Sequence, residues 1–162
     1  MITPVTEADA EQICKIYNHY IDTSVISFET KAVSLTQMRE RIDHIAQQKL
    51  PWLVARHGQT VLGYAYATQW KARAAYRYCV EVTIYLAPET KAKGIGSALY
   101  EELFKALNAL EVHAVLACIA LPNPQSIALH EKFGMRKVAH FEQVGFKFDR
   151  WLDVGYWQVN IK

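Results

Sequence analysis

Cysteine, charge imbalance and long apolar runs are all scarce in this chain. Its three cysteines, Cys14, Cys79 and Cys118, are widely spaced and fit neither a C-x-x-C pair nor a Cys/His ligand spacing. That excludes a disulfide framework and a zinc site, and it makes reduced, buried thiols the expectation. Seven glycines and five prolines are too few for a collagen-like or low-complexity chain. A net charge of +2, from 18 basic and 16 acidic residues, is too even to advertise nucleic acid or an anionic membrane as a partner. The longest apolar run, Ala114 to Leu121, falls far short of the ~20 residues a spanning helix needs. The N-terminus reaches Glu7 and Asp9 with no basic or apolar leader, so a cytoplasmic protein is expected. What is plentiful is hydrophobic residues, 51% of 162. A single domain of this length, 1–162, can bury roughly 68–70% of its unfolded surface.

Apolar periodicity then sketches the elements. Thr6 stands at an N-cap with Asp9 three residues later, and Ile13, Ile16, Tyr17, Tyr20 and Ile21 follow at helical spacing, predicting a helix over Glu7 to Asp22. Leu35, Met38, Ile42 and Ile45 mark a second helix. Trp52 to Arg56 and Thr60 to Trp70 read as a hairpin across His57-Gly58-Gln59, with Gly63 a bulge or a close approach. Tyr78 to Leu86 is a strand, and Gly94-Ile95-Gly96 opens a helix striped by Ile95, Leu99, Leu103 and Leu107. Val112 to Leu121 is apolar throughout, as a strand covered on both faces should be. A short helix ends near Phe133 with Gly134 as C-cap, and two last strands, Met135 to His140 and Trp151 to Ile161, are joined by a loop containing Gly145. The sum is an α/β domain with a parallel strand pair inside a mixed sheet.

Four segments carry chemistry. Lys91-Ala92-Lys93-Gly94-Ile95-Gly96-Ser97 lies between a strand and a helix, where glycines let amide groups face a phosphate and the helix dipole favours an anion. The plainer alternative is a loop with helix-starting glycines. Walker and dinucleotide fingerprints both fail, because Ser97-Ala98 follows Gly96 and Leu99 stands where a third small residue belongs. On its strand Glu81 shares a face with Thr83 and Tyr85, which sets a carboxylate inside an apolar segment. Desolvation there raises a carboxyl pKa toward that of a general base for an attacking amine; the alternative is an ion pair with Arg73 or Arg77. His130, on the short helix, is either a proton carrier or a plain polar contact. The basic and aromatic run Trp70 to Tyr78 suits an anionic substrate group held by Arg73 or Arg77, a small RNA patch, or a solvated loop. His19, His44, His57, His113 and His140 are scattered without ligand spacing, so no metal is expected.

In order along the chain, Ile16-Tyr17-Asn18, Ser27-Phe28-Glu29, Gly63-Tyr64-Ala65, Arg73-Ala74-Ala75-Tyr76-Arg77, Val80-Glu81, Lys91-x-x-Gly94-x-Gly96, Asn123-x-x-Ser126, Leu129-His130-Glu131 and Val144 to Asp153 resemble the GNAT N-acetyltransferase superfamily. They resemble above all its phosphinothricin and methionine sulfoximine branch, with Lys91 where Gln or Arg is usual. The resemblance implies a sheet whose fourth and fifth strands splay, so that Ile84, Tyr85 and Leu86 offer backbone groups to the pantetheine of acetyl-CoA. It implies that Ala92, Lys93, Gly94, Ile95, Gly96 and Ser97 hold the pyrophosphate and that Asn123 and Ser126 touch the cosubstrate, although Asn123 could be only an N-cap. It makes Glu81 the base and gives His130 a proton-handling part, either donating to the departing thiolate or accepting from the amine. Phe28, Glu29, Arg73, Ala74, Ala75 and Tyr76 would surround a small amino-acid-like substrate, Glu29 meeting its ammonium. Relatives further imply a homodimer built partly from the C-terminal strands, with Trp151, Tyr156 and Trp157 as anchors or core. Neither nucleic acid nor membrane is expected as partner. The competing readings are an acetyltransferase of protein N-termini or polyamines, and a non-catalytic acyl-CoA or RNA binding module.

Overall fold

A computed structural model describes residues 1–90 and 94–162. Lys91, Ala92 and Lys93 lie outside the described residues. Strand β1 (Ile2–Pro4) leads through a 3-10 turn to helix α1 (Ala10–Thr23) and helix α2 (Leu35–Gln47). Strands β2 (Trp52–His57), β3 (Thr60–Gln69) and β4 (Cys79–Leu86) precede helix α3 (Ile95–Asn108). Strand β5 (Ala114–Leu121), helix α4 (Pro124–Lys132) and strands β6 (Arg136–Lys147) and β7 (Arg150–Asn160) complete the chain.

The strands form one seven-stranded sheet in the order β1-β2-β3-β4-β5-β7-β6, with β4–β5 its parallel pair. Local chemistry starts and stops the helices where the sequence says it should. The Thr6 amide donates to Asp9 Oδ2 at 2.8 Å, Ser34 and Gln37 cap α2 reciprocally, and Gly134 takes the left-handed φ of +79° after α4. Period-two alternation divides the sheet into two faces. Leu53, Ala65, Val80 and Val115 pack against Leu99, Leu103 and Leu107 of α3, while Trp52, Val54 and Tyr64 pack against Ile13, Met38 and Ile45 of α1 and α2. Gly63 serves both expected purposes. A Cβ there would sit 2.8 Å from the Tyr85 carbonyl oxygen, and its partner Ala55 borders a register shift.

Three expectations need correction. The sixth strand is longer than read and the last begins one residue earlier, because Gly145 lies within β6 and the reversal is a tight turn at Phe148 and Asp149, with φ of +51° and +55°. A Phe-Asp pair carries no glycine signal, although Asp tolerates the left-handed region that such hairpins require. The first helix opens as a 3-10 turn over Glu7–Asp9. Of the thiols expected to be buried, only Cys14 is; Cys118 is exposed, because β5 turns it to the Glu81 face where no helix covers it. Trp157 belongs to the core, whereas Trp151 is 62% exposed.

Candidate active site

The site begins where the parallel pair ends. β4 and β5 are hydrogen-bonded only from Cys79↔Ala114 to Glu81↔Leu116. Beyond Glu81, β4 keeps its pairing with β3 as far as Leu86, and β5 keeps its pairing with β7 as far as Leu121. The strands therefore part as expected, and the β5-facing edge of β4 over Ile84, Tyr85 and Leu86 lacks a strand partner. Tyr20 Oη donates to the Leu86 carbonyl at 2.6 Å. Gly96, in the first turn of α3, would place a Cβ 3.5 Å from Leu129 and 3.7 Å from Ile84, so the start of α3 lies against both the parted strand and α4.

Three hollows run along the parting. One of about 220 Å3 lies between Ile84–Leu86 and Asn123, Ser126 and Leu129 of the α4 region. The next, about 60 Å3, shares Ile84, Asn123 and Ser126 and adds Tyr100, Cys118 and His130. The third, about 210 Å3, shares Thr83, Tyr85 and Cys118 and ends on Glu81, with Phe28 and Glu29 opposite. An extended groove thus leads from the glycine-opened end of α3 to a carboxylate.

Glu81 is half-buried, and among the described residues it makes no ion pair. Burial raises its pKa and Lys71 draws it back only in part. Arg73 and Arg77 do not pair with it. The turn Ala74–Tyr76 is exposed, Tyr76 rests edge-on against Trp70 at 5.1 Å, and Arg77 lies 4.4 Å over the Tyr78 ring. Arg73, Ala74, Ala75 and Tyr76 adjoin the Glu81 end of β4 without lining the cavity.

His130 is 3% exposed and both its ring nitrogens are engaged. Nδ1 lies 2.6 Å from the Ser126 carbonyl oxygen and Nε2 2.8 Å from Tyr100 Oη. Since a carbonyl only accepts, these partners assign a neutral imidazole whose Nδ1–H donates to Ser126 and whose Nε2 accepts from the Tyr100 hydroxyl. Burial lowers the His130 pKa, and the bond to Ser126 opposes that lowering. Asn123 caps α4, its Oδ1 accepting from the Ser126 amide at 3.2 Å. Ser97 Oγ accepts from Lys132 Nζ at 2.9 Å, which brings a cation to the start of α3.

The far wall is a network that runs from the buried Lys147 out to the exposed Arg41. Lys147 Nζ donates to the Ser27 carbonyl at 2.7 Å, and Ser27 Oγ donates to Tyr17 Oη at 3.0 Å. Tyr17 donates to Glu29, which accepts two further bonds from Arg41 at 2.6 and 2.8 Å. The Arg41 guanidinium holds the Glu29 carboxyl below its ordinary pKa, and burial pushes the Tyr17 phenol up to about 12. Glu29, expected to meet a substrate ammonium, is thus already paired with Arg41. Phe28 packs on β6 at Gly145, where a Cβ would lie 2.3 Å from its ring. Sequence reasoning included Lys71 only within the run Trp70 to Tyr78, and it gave no part to Tyr100, Arg41, Lys132 or Lys147. The tyrosine reads as part of a core stripe, and the cations read as solvated faces. Ala92 and Lys93 fall outside the described residues. Among the described residues no group of three His, Cys, Asp or Glu side chains gathers as a metal site.

The acetyltransferase (GNAT) domain family matches residues 2–155. A phosphinothricin N-acetyltransferase of Streptomyces viridochromogenes is 40% identical over 157 residues, covering 97% of this chain and 85% of its own length. An L-methionine sulfoximine/L-methionine sulfone acetyltransferase of Pseudomonas aeruginosa is 33% identical over 155 residues, 95% of this chain and 90% of its own. The crystal structure of a GNAT superfamily phosphinothricin acetyltransferase from Sinorhizobium meliloti, in complex with acetyl-CoA, superposes with a TM-score of 0.95 at 36% identity, over 99% of this chain and 87% of that one. A match over almost the whole length, with the parted parallel strands that the motifs imply, makes this chain a member of the GNAT acetyltransferase family.

Proposed function

We propose that the enzyme transfers an acetyl group from acetyl-CoA to the α-amine of a small amino-acid-like substrate such as phosphinothricin or methionine sulfoximine. The observation that carries this reading is Glu81: a half-buried carboxylate without an ion pair, at the end of a groove opened by the parting of β4 and β5. The groove suits acetyl-CoA on its own terms. It has unpartnered strand backbone at Ile84, Tyr85 and Leu86, the polar side chains of Asn123 and Ser126, and a helix start at Gly94, Ile95, Gly96 and Ser97 with Lys132 beside it. Ala92 and Lys93 continue that helix start in sequence, as the family motif implies. Bound there, acetyl-CoA would supply a thioester acyl group.

The chain's own groups do the rest. An α-ammonium, with a pKa near ~8, must lose a proton before its lone pair is a nucleophile. Glu81, desolvated and basic, accepts that proton directly or through one water. Phe28 and Thr83 line the cavity in which the amine would lie, and holding two reactants in one cleft removes much of the entropic barrier. Lys71 supplies positive charge near this end, and Arg73, with Ala74, Ala75 and Tyr76, adjoins it for the substrate's anionic group. Backbone N–H groups of the parted β4 face the place where negative charge develops on the acyl oxygen. Because the neutral His130 accepts only at Nε2, we assign its proton-handling part to the bond with Tyr100.

The β6–β7 hairpin supports a homodimer. Phe141, Val144, Phe146, Phe148 and Trp151 are each 47 to 62% exposed on it, and β6 is an edge strand. Free cysteines at all three positions agree with a reducing cytoplasm. The deciding experiment is thiol release from acetyl-CoA with a panel of amines. Release with phosphinothricin or methionine sulfoximine, and not with spermidine or a peptide, is the expected result. Release with no amine overturns the reading.

A further inference from the structure

On the Glu81 face of the sheet lies another hollow, which the reaction described above leaves without a part. It measures about 150 Å3 and lies between α2 and the β2–β3 ladder. Its wall is aromatic. Trp52 and Tyr66 are cross-strand partners whose rings stack at 4.3 Å and 17°, and Tyr64 continues the stack at 13° to Tyr66. The buried Met38 and Ile45 of α2 close it from above, and the exposed Arg41 and His44 lie at its rim.

Two observations tie this hollow to the acetylation site. Tyr17 and Tyr66 line both it and the Glu81 cavity. Thr68, also in its wall, stands directly across the ladder from Glu81, so the hollow begins one strand spacing, ~5 Å, from the strand that carries the carboxylate. Of the two shared rings, Tyr17 packs edge-on against Tyr85 of β4, and Tyr66 stacks on Trp52 of β2.

We infer that this hollow is a side-chain pocket of the acetylation site, and that it takes the aryl group of an aromatic α-amino acid whose amine lies at Glu81. The inference rests on the acetyltransferase reading and adds a substrate class to it. Size favours an aryl group, since an apolar cavity of roughly 150 Å3 is on the scale of a benzene ring. So does shape, because flat stacked walls reward a flat guest through offset or edge-on ring contacts. A sulfoximine or phosphinate would meet Trp52 Nε1, a buried donor without a partner among the described residues, but would set its other polar atoms against the apolar faces of Trp52, Met38 and Ile45, so such side chains gain more in the polar part of the site. Arg41 and His44 at the rim disfavour a cationic side chain.

The test compares kcat/KM for L-phenylalanine, L-tyrosine and methionine sulfone in the wild type and in two variants that fill the hollow, Met38→Trp from inside and His44→Trp from the exposed rim. Both aromatic amino acids should be acetylated. Filling should lower their kcat/KM by about tenfold or more, the range that lost pocket contacts command, with methionine sulfone changed far less. If Met38→Trp does not fold, His44→Trp alone decides. Acetylation of methionine sulfone without that of either aromatic substrate overturns the pocket and leaves the enzyme reading intact, as does an equal loss for both classes. Should no amine be acetylated, saturation-transfer NMR with N-acetyl-L-phenylalanine still decides. Ring-proton saturation that the filled variants lose supports the pocket, and no saturation overturns it.

Discussion

Lys147, near the end of β6, reaches across 120 positions of sequence to donate a 2.7 Å hydrogen bond to the carbonyl of Ser27, and both residues are buried. That bond fastens the connection between α1 and α2, which carries Phe28 and Glu29, to the far edge of the sheet. Lys147→Met leaves the carbonyl unpaired and frees the connection. The expected result is a KM for the amine raised by about tenfold, an unchanged Kd for acetyl-CoA, and a loss of stability of about 1–3 kcal/mol in urea denaturation.

Glu81, as the proposed base, should set the acid limb of the rate. Burial holds its pKa above the ordinary carboxylate range, and only the ionised form accepts a proton. As pH falls through that raised value, log kcat/KM for the amine should therefore fall with unit slope. Glu81→Gln should lower turnover at pH 7 by roughly 10²- to 10⁴-fold, abolish this limb and spare acetyl-CoA binding. Steady-state rates across pH, beside calorimetry with acetyl-CoA, check both outcomes.

Burial lowers the pKa of His130 in the fold, so the unfolded chain binds more protons at this position. Stability should accordingly decline as pH falls through about 6.5, the ordinary imidazole value, and be fully present above it. His130→Gln should flatten that decline in thermal melts between about pH 7 and pH 5. Tyr100→Phe keeps the ring yet leaves Nε2 buried without its donor, at a cost of about 1–3 kcal/mol.

The exposed β6–β7 hairpin gives the proposed dimer its test. Phe146→Asp together with Trp151→Asp puts charge on two side chains that are 54% and 62% exposed and whose rings pack 4.9 Å apart. Sedimentation should show the wild type at twice the chain mass and the double variant at the chain mass, with far-UV circular dichroism unchanged.

Much of this fold could be read from sequence because its signals are local. The alternation Val80 to Leu86 assigned Glu81 to the face it occupies, and Gly94, Gly96 and Gly134 marked helix ends correctly. The parting of β4 and β5 entered through family resemblance, since no local pattern says where two strands stop pairing. What escaped is long-range. Lys147 falls in the segment that reads as a loop around Gly145, and nothing near it announces Ser27. Tyr100 lies on the same stripe as Leu99 and Leu103, so its hydroxyl bond to His130 could not be told from packing. Glu29 lines the same hollow as Glu81, but its bidentate pairing with Arg41 depends on how α2 docks.

The parted sheet leaves β4 with an internal seam of amide groups, and a guest lying along that seam would be recognised as a further rung of the ladder rather than by a lock of side chains. Every residue except proline carries the same amide, so the seam is indifferent to what is written at positions 84 to 86 as long as the strand holds its course. The enzyme can therefore vary the lining of its groove, and with it the choice of amine, without surrendering its grip on the acyl donor.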